Sequence, residues 1–178
     1  RESIALVATI NAAGEAIPPL IVFKGQGLQE DWIRRDEGVP GATYAVIDSS
    51  MIQEPVFLDF SRKLHRWLVD KGKIDGRPHV MVLDGHASHI TIGVIQFAMA
   101  NNLVIFQLPF HSSHVTQPLD ECAFVIFKPK NTEILQGWQR THRNKIPVGN
   151  CMNDEILLSW ARSFTPSQVV SSFEGSGL

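Results

Sequence analysis

Apolar positions along this chain follow two rhythms, short β-type runs and longer stretches with helical spacing. Residues Ser3 to Ile10 are rich in Ile, Val and Thr, "NAAGE" supplies a turn, and "AIPPLIVFKG" follows as a second apolar run. The pair predicts a β-hairpin. Pro18 and Pro19 lack a backbone donor, so regular pairing of the second strand is expected to begin near Leu20. Residues 25–41 are polar and glycine-bearing, hence loop, with a short helical turn around Trp32. "ATYAVI" reads as a short strand. Pro55 suits a first helical turn. Phe57, Phe60, Leu64, Trp67 and Leu68 then recur at helical spacing, which predicts an amphipathic helix over Glu54 to Lys71. "KGKIDGRP" ends it with two glycines and a proline.

His79 to Leu83 is a continuous apolar run, the pattern of a strand buried on both faces. A helix is expected from about Ser88 to Ala100, with Ile92, Ile95, Phe97 and Met99 as its core positions, and "NLVIFQL" as the next buried strand. Strand, helix and strand at these lengths make a crossover between parallel strands. A further helix should start near Thr116 and Pro118, with Asp120 in its first turn, where the helix dipole favours a negative charge. Pro129 is expected to kink or interrupt it. A helix follows around Asp154 to Ser163. The last one has Thr165 and Gln168 at capping-box spacing, Pro166 at its first position and Gly175 as its stop. No repeat or low-complexity tract is present.

Composition narrows the class. The 178 residues, 44% hydrophobic and 19% charged, suit one domain with a real core. The net charge of −2 gives no whole-chain signature of nucleic-acid binding, so such a signature has to be local. Two cysteines, Cys122 and Cys151, make no disulfide framework, and a reduced intracellular compartment is the simpler expectation. No run of 18 apolar residues exists, and no signal peptide is visible at the start. The opening "RESIALVATI" has no Met and almost no lead-in, as expected of a piece of something longer. The organisation expected is a domain over residues 1–148 with a helical tail of the same domain over 149–178.

The chemistry gathers around two carboxylates. "PHVMVLDGHASH" ends an apolar strand in Asp84, at the strand edge where ligands of open α/β sheets collect. Asp120 opens a helix after the next strand. Adjacent strands lie about 5 Å apart, so one crossover can bring both acids to one edge. Two converging carboxylates are best satisfied by a hard divalent cation, and Mg²⁺ takes one or two carboxylates with water and phosphate. Two metals about 3.5–4 Å apart support in-line attack on a phosphodiester. The plainer alternative makes Asp84 a loop residue or helix N-cap and Asp120 a dipole-favoured surface acid.

"VMVLDGHASH" followed by "LPFHSSHVTQPLDECAF" resembles the DDE superfamily endonuclease domain of pogo-like transposases, within the wider mariner group. Thirty-five residues separate Asp84 from Asp120, a spacing similar to that between the family's second and third acids. "RESIALVATINAAGEAIPPLIVFKG" looks like the family's hairpin, and "FTPSQVVSSFEGSGL" is similar to its C-terminal tail, so the resemblance covers nearly the whole chain. It implies a ribonuclease-H-like, retroviral-integrase-like α/β fold. It also implies an Asp-Asp-Asp site that holds Mg²⁺ or Mn²⁺ and cleaves and joins DNA. Asp84 takes the place of the second acid and Asp120 of the third. The family's first acid lies on a first, central strand upstream of the hairpin, and no residue here matches it; Asp31, Asp36 and Asp48 fall in other segments. The expectation is therefore a fragment or decayed copy with a gapped sheet, lacking that strand. The resemblance further implies DNA as partner, a nuclear location and no membrane, and it allows a homo-oligomer in an intact parent. A domesticated, non-catalytic nucleic-acid-binding protein derived from a transposase is the alternative.

His86, His89, His111 and His114 form two pairs of H-x2-H spacing. Four imidazoles open the alternative of a zinc site, but the spacing matches no standard finger. Support of the loops around the acids is the plainer role, and His86, His89 and His114 are assigned to it. After Asp120, Lys128, Lys130, Arg140, Arg143 and Lys145 outnumber the acids up to Asn150. They are candidate DNA-backbone contacts or a solvated helix face. Trp138 among them is either a base-stacking ring or a packing residue.

Overall fold

The computed structural model describes residues 4–33, 38–48, 54–84, 90–109, 116–142 and 149–178. The chain divides into two compact units, residues 1–48 with 118–178, and residues 49–117.

In the first unit, strands β1 (Ile4–Ile10) and β2 (Ala16–Lys24) form the expected antiparallel hairpin. Asn11 builds its turn: the carboxamide oxygen accepts from the N–H groups of Ala13 and Glu15 at 3.1 and 2.9 Å. Strand β2 begins at Ala16, and its uninterrupted pairing begins at Leu20, as expected. The register passes from Val7–Leu20 to Thr9–Ile17, so Pro18 and Pro19 sit opposite Ala8 alone in an irregular step. A bulge of this kind absorbs residues that cannot donate to the ladder. Strand β3 (Thr43–Ile47) pairs with β2 in parallel, which gives a mixed sheet of order β1-β2-β3. The central strand is the most buried, with Leu20 to Phe23 each 3% exposed or less.

Further helical segments follow among the described residues of this unit. They are a π-helical turn (Leu119–Ala123), α3 (Phe124–Thr141), α4 (Gly149–Ser163) and α5 (Pro166–Ser176). Ile21 and Phe23 of β2 share a core with Trp32, Val39, Ala123, Phe127, Ile156 and Phe164, flanked by Ile4 and Leu6 of β1 and Tyr44 and Val46 of β3. Each fully buried side chain of this size contributes about 1.5–3 kcal/mol. Phe164 is the aromatic hub: it lies edge-on to Phe124 and Phe127 at 6.0 Å and stacks on Trp160 at 3.8 Å. Trp32 ends the expected short turn, a 3-10 helix over Glu30–Trp32, and its carbonyl accepts from the Asn153 carboxamide.

Helix α3 runs through Pro129 without interruption. Pro129 is exposed and Val125, whose carbonyl loses its helical donor, is 59% exposed, so water can replace that bond. Helix α5 carries its capping box: the Gln168 side-chain oxygen accepts from the Thr165 N–H at 3.3 Å and from its hydroxyl at 2.8 Å. It stops at Gly177, not Gly175. Gly177 takes φ 75°, and the Leu178 N–H reaches back to the Phe173 carbonyl at 3.1 Å. The left-handed turn, which glycine adopts without strain, marks the true end.

In the second unit, α1 (Glu54–Asp70) buries Phe57, Phe60, Leu64 and Leu68 as its spacing predicts. Strand β4 (His79–Leu83), α2 (Ile92–Ala100) and β5 (Leu103–Gln107) form the crossover, with β4 and β5 parallel and paired from His79–Leu103 to Leu83–Gln107. Two expectations change here. Helix α2 buries Val94 and Ala98, while Ile92, Ile95 and Met99 are 75%, 41% and 77% exposed. A helix apolar on nearly every side has no polar face to tell which side is inward. The two strands are also not buried on both faces. Leu103 and the half-buried Ile105 pack with Leu68 and Ala98, whereas Val80, Val104 and Phe106 point away and stay largely exposed. The two helices cover one face of this two-stranded sheet.

The architecture is a mixed α/β one, with a mixed three-stranded sheet and flanking helices, consistent with a ribonuclease-H-like fold. The described strands fall into two hydrogen-bonded sets, three strands and two.

Candidate functional site

Asp84 follows the last residue of β4, half-buried, at the carboxyl end of a parallel strand. The ladder is held to that end, because the Leu108 N–H donates to the Leu83 carbonyl at 2.8 Å. Asp84 thus stands where the apolar run "HVMVL" delivers it. His86 and His89 lie outside the described residues, as do His111 and His114.

Asp120 is presented differently. It sits in the π turn, whose defining bond runs from the Phe124 N–H to the Leu119 carbonyl, and Pro118, not Thr116, stands at the N-cap. Such turns are rare and gather at functional sites. Helix α5 fixes this one in place. The buried Ala123 N–H donates to the Ser172 hydroxyl at 3.2 Å, and that hydroxyl donates to the Gln168 carbonyl at 2.9 Å. Glu121 lies over Gly175, where an added Cβ would come within 3.3 Å of its carboxylate. Glu121 is thereby turned towards α5. Asp120 keeps 29% of its side chain exposed.

Lys128 reaches back to Asp120, with Nζ 3.5 Å from Oδ1. Its ammonium also lies 5.2 Å from the centre of the Phe124 ring. The other cations after Asp120 have separate fates. Lys130 pairs with Glu133 at 2.8 Å. Arg140 lies exposed in the last turn of α3 and meets no carboxylate among the described residues. At about 100° per residue, Lys128, Lys130 and Arg140 point in three directions around α3 rather than along one stripe. Arg143 and Lys145 lie outside the described residues. Trp138 is half-buried and stacks on His142 at 4.4 Å.

Among the described residues no three His, Cys, Asp or Glu side chains gather as a metal cluster. Asp31 falls in the 3-10 turn, and Asp48 follows β3. The carboxylate oxygens of Asp84 and Asp120 are the donor type that Mg²⁺ and Mn²⁺ take. The ammonium beside Asp120 marks that position as one that attracts positive charge.

One ionisable residue escaped the sequence reading. Glu155 of α4 is 4% exposed, and neither of its oxygens has a hydrogen-bond partner among the described residues. Burial, and then the neighbouring Asp154 carboxylate, push its pKa up to about 7. Ser159 and Ser163, also buried, follow it at four-residue intervals, so the signal was a polar stripe at helical spacing.

Comparison with known proteins places these features. A protein of Cochliobolus lunatus, named MFS-type transporter clz9, is 31% identical over 178 residues, which is 100% of this chain and 19% of that protein. The chain thus spans about a fifth of the length of this curated relative. No helix among the described residues is long and apolar enough to cross a membrane. No solved structure matches significantly. The family model of the DDE superfamily endonuclease matches residues 1–173, nearly the whole chain, and this chain belongs to that family.

Proposed function

We propose that the chain carries two of the acidic ligands, Asp84 and Asp120, of a DDE centre of the pogo-like kind that cleaves and joins DNA. The observation that carries this is Asp84 at the carboxyl end of a parallel strand, in a chain matched to the endonuclease family over nearly its whole length. A divalent ion, Mg²⁺ or Mn²⁺, would supply activation of the attacking water or hydroxyl and charge neutralisation at the scissile phosphate. Asp84 and Asp120 would hold it through carboxylate oxygens. The π turn that carries Asp120 is tied to α5 by Ser172, and Glu121 of the same turn lies against Gly175 of α5. His86, His89 and His114 would orient the loops beside the acids. Arg140, with Lys130, Arg143 and Lys145, would contact the DNA backbone. The relevant compartment is then the nucleus.

The test is metal-dependent nicking of supercoiled DNA, with gel-shift binding to the same DNA measured in parallel. Asp84→Asn and Asp120→Asn should each abolish whatever nicking the chain supports and leave DNA binding intact. Nicking that survives both substitutions refutes the assignment. The alternative reading is a domesticated nucleic-acid-binding protein without catalysis. DNA binding that needs no metal, with no nicking in either Mg²⁺ or Mn²⁺, is the result that reading expects.

A further inference from the structure

By sequence Lys128 is one of the candidate DNA-contacting cations, yet its surroundings point elsewhere. Its ammonium is 3.5 Å from Asp120 Oδ1 and 5.2 Å from the Phe124 ring centre. Phe124 is itself fixed, edge-on to Phe127 at 6.2 Å and to Phe164 at 6.0 Å. The lysine head therefore lies over a packed ring and beside one particular carboxylate. Lys130, two residues on, carries the same charge and ends at Glu133.

We infer that Lys128 is a built-in counter-cation of Asp120, which a divalent ion must displace to reach that carboxylate. This rests on the reading of Asp120 as a metal ligand. A cation already at the oxygen competes with an incoming one in two ways: it occupies a coordination direction, and its charge repels the ion. Lys128 thereby sets how tightly the metal is held in the absence of DNA. It is a positioning residue and touches no reacting atom.

The pair is partly solvated, with Lys128 69% and Asp120 29% exposed in their side chains, so the competition is modest. Exposed pairs of this kind correspond to about a two- to fivefold change in an equilibrium constant. The experiment is Mn²⁺ titration of the whole chain, followed by the electron paramagnetic resonance signal of free Mn²⁺, with no DNA present. Lys128→Met should tighten Mn²⁺ binding about two- to fivefold at low salt, and the gain should shrink as added KCl screens the charge. Lys128→Arg, which keeps the cation, should stay near the wild type. Lys130→Met, with the same loss of charge, should change affinity much less than Lys128→Met.

Unchanged or weaker binding in Lys128→Met overturns the inference. So does an equal gain in Lys130→Met, because general electrostatics would then explain both. Asp120→Asn separates this from the parent reading. If it loses Mn²⁺ while Lys128→Met is silent, Asp120 stands as a ligand and only the role of Lys128 falls. If Asp120→Asn binds as the wild type does, both fall.

Discussion

Replacing Glu155 by Gln should make the folded chain more stable, by an amount that grows as pH rises from about 4.5 to about 7 and then levels off. Glu155 is 4% exposed, and neither carboxyl oxygen has a partner among the described residues. Its pKa rises from 4.5 to about 7, first through burial and then through the Asp154 carboxylate. A folded-state pKa above the unfolded one means that folding takes up a proton between those values. The favourable protonated state is fully available below about pH 4.5, and its contribution is lost as pH rises through about 7. At about 1.4 kcal/mol per pH unit, the ionised form costs about 3 kcal/mol at pH 8. Among the charged groups of α3, Lys128 and Lys130 are engaged with Asp120 and Glu133, and neither offsets it. Glutamine keeps the shape and removes the ionisation. Urea unfolding followed by tryptophan fluorescence should show the variant close to wild type at pH 5 and about 2–3 kcal/mol more stable at pH 8. Asp154→Asn should move in the same direction by less, since it removes only the smaller cause. Parallel loss of stability in wild type and Glu155→Gln between pH 5 and pH 8 would refute the reasoning.

Other substitutions probe the frame around the acids. Phe164→Ala removes the ring shared by Phe124, Phe127 and Trp160 and should cost about 3–5 kcal/mol; a urea midpoint near wild type would show that this cluster does not hold the helices. Gly14 has φ +88°, and an added Cβ would lie 3.2 Å from the Pro166 carbonyl and 3.3 Å from Val170 Cγ2. Gly14→Ala should therefore cost about 1–3 kcal/mol, and an unchanged or raised melting temperature would contradict it. Arg140→Ala should weaken DNA binding and lower the slope of log affinity against log salt by about 1. An unchanged slope would remove Arg140 from the phosphate contacts.

Periodicity made legible what depends on one surface being inside. The hairpin, α1 and the β4-α2-β5 crossover each contrast apolar with polar positions or have lengths that allow one topology. Where that contrast vanished, so did the information. Helix α2 offers Ile92, Val94, Ile95, Phe97 and Met99 on several sides, and only contact with Leu68 and Leu103 selects Ala98's side as the inner one. The two prolines of β2 carried a correct local rule, no donor to the ladder, but a bulge opposite Ala8 satisfied the rule without ending the strand. Asp84 was readable for the same reason as the crossover: it ends an apolar run.

The partner of Asp120 was hidden for a different reason. Neighbours on a helix surface are three or four residues apart, and Lys128 is eight from Asp120. In an unbroken α-helix, eight residues overshoot two turns by about 80°, which turns the two side chains apart. A π turn takes one extra residue into the repeat, so the eighth residue occupies the angular place of the seventh, within about 20° of the same line. Long helical side chains also lean towards the N-terminus, which brings the lysine head back along the axis. The turn over Leu119–Ala123 therefore creates the pair, and Ser172 and Gly175 of α5 hold that turn. The local charge pattern alone could not reveal a pairing that depends on a helix 49 positions further along the chain bonding to Ala123.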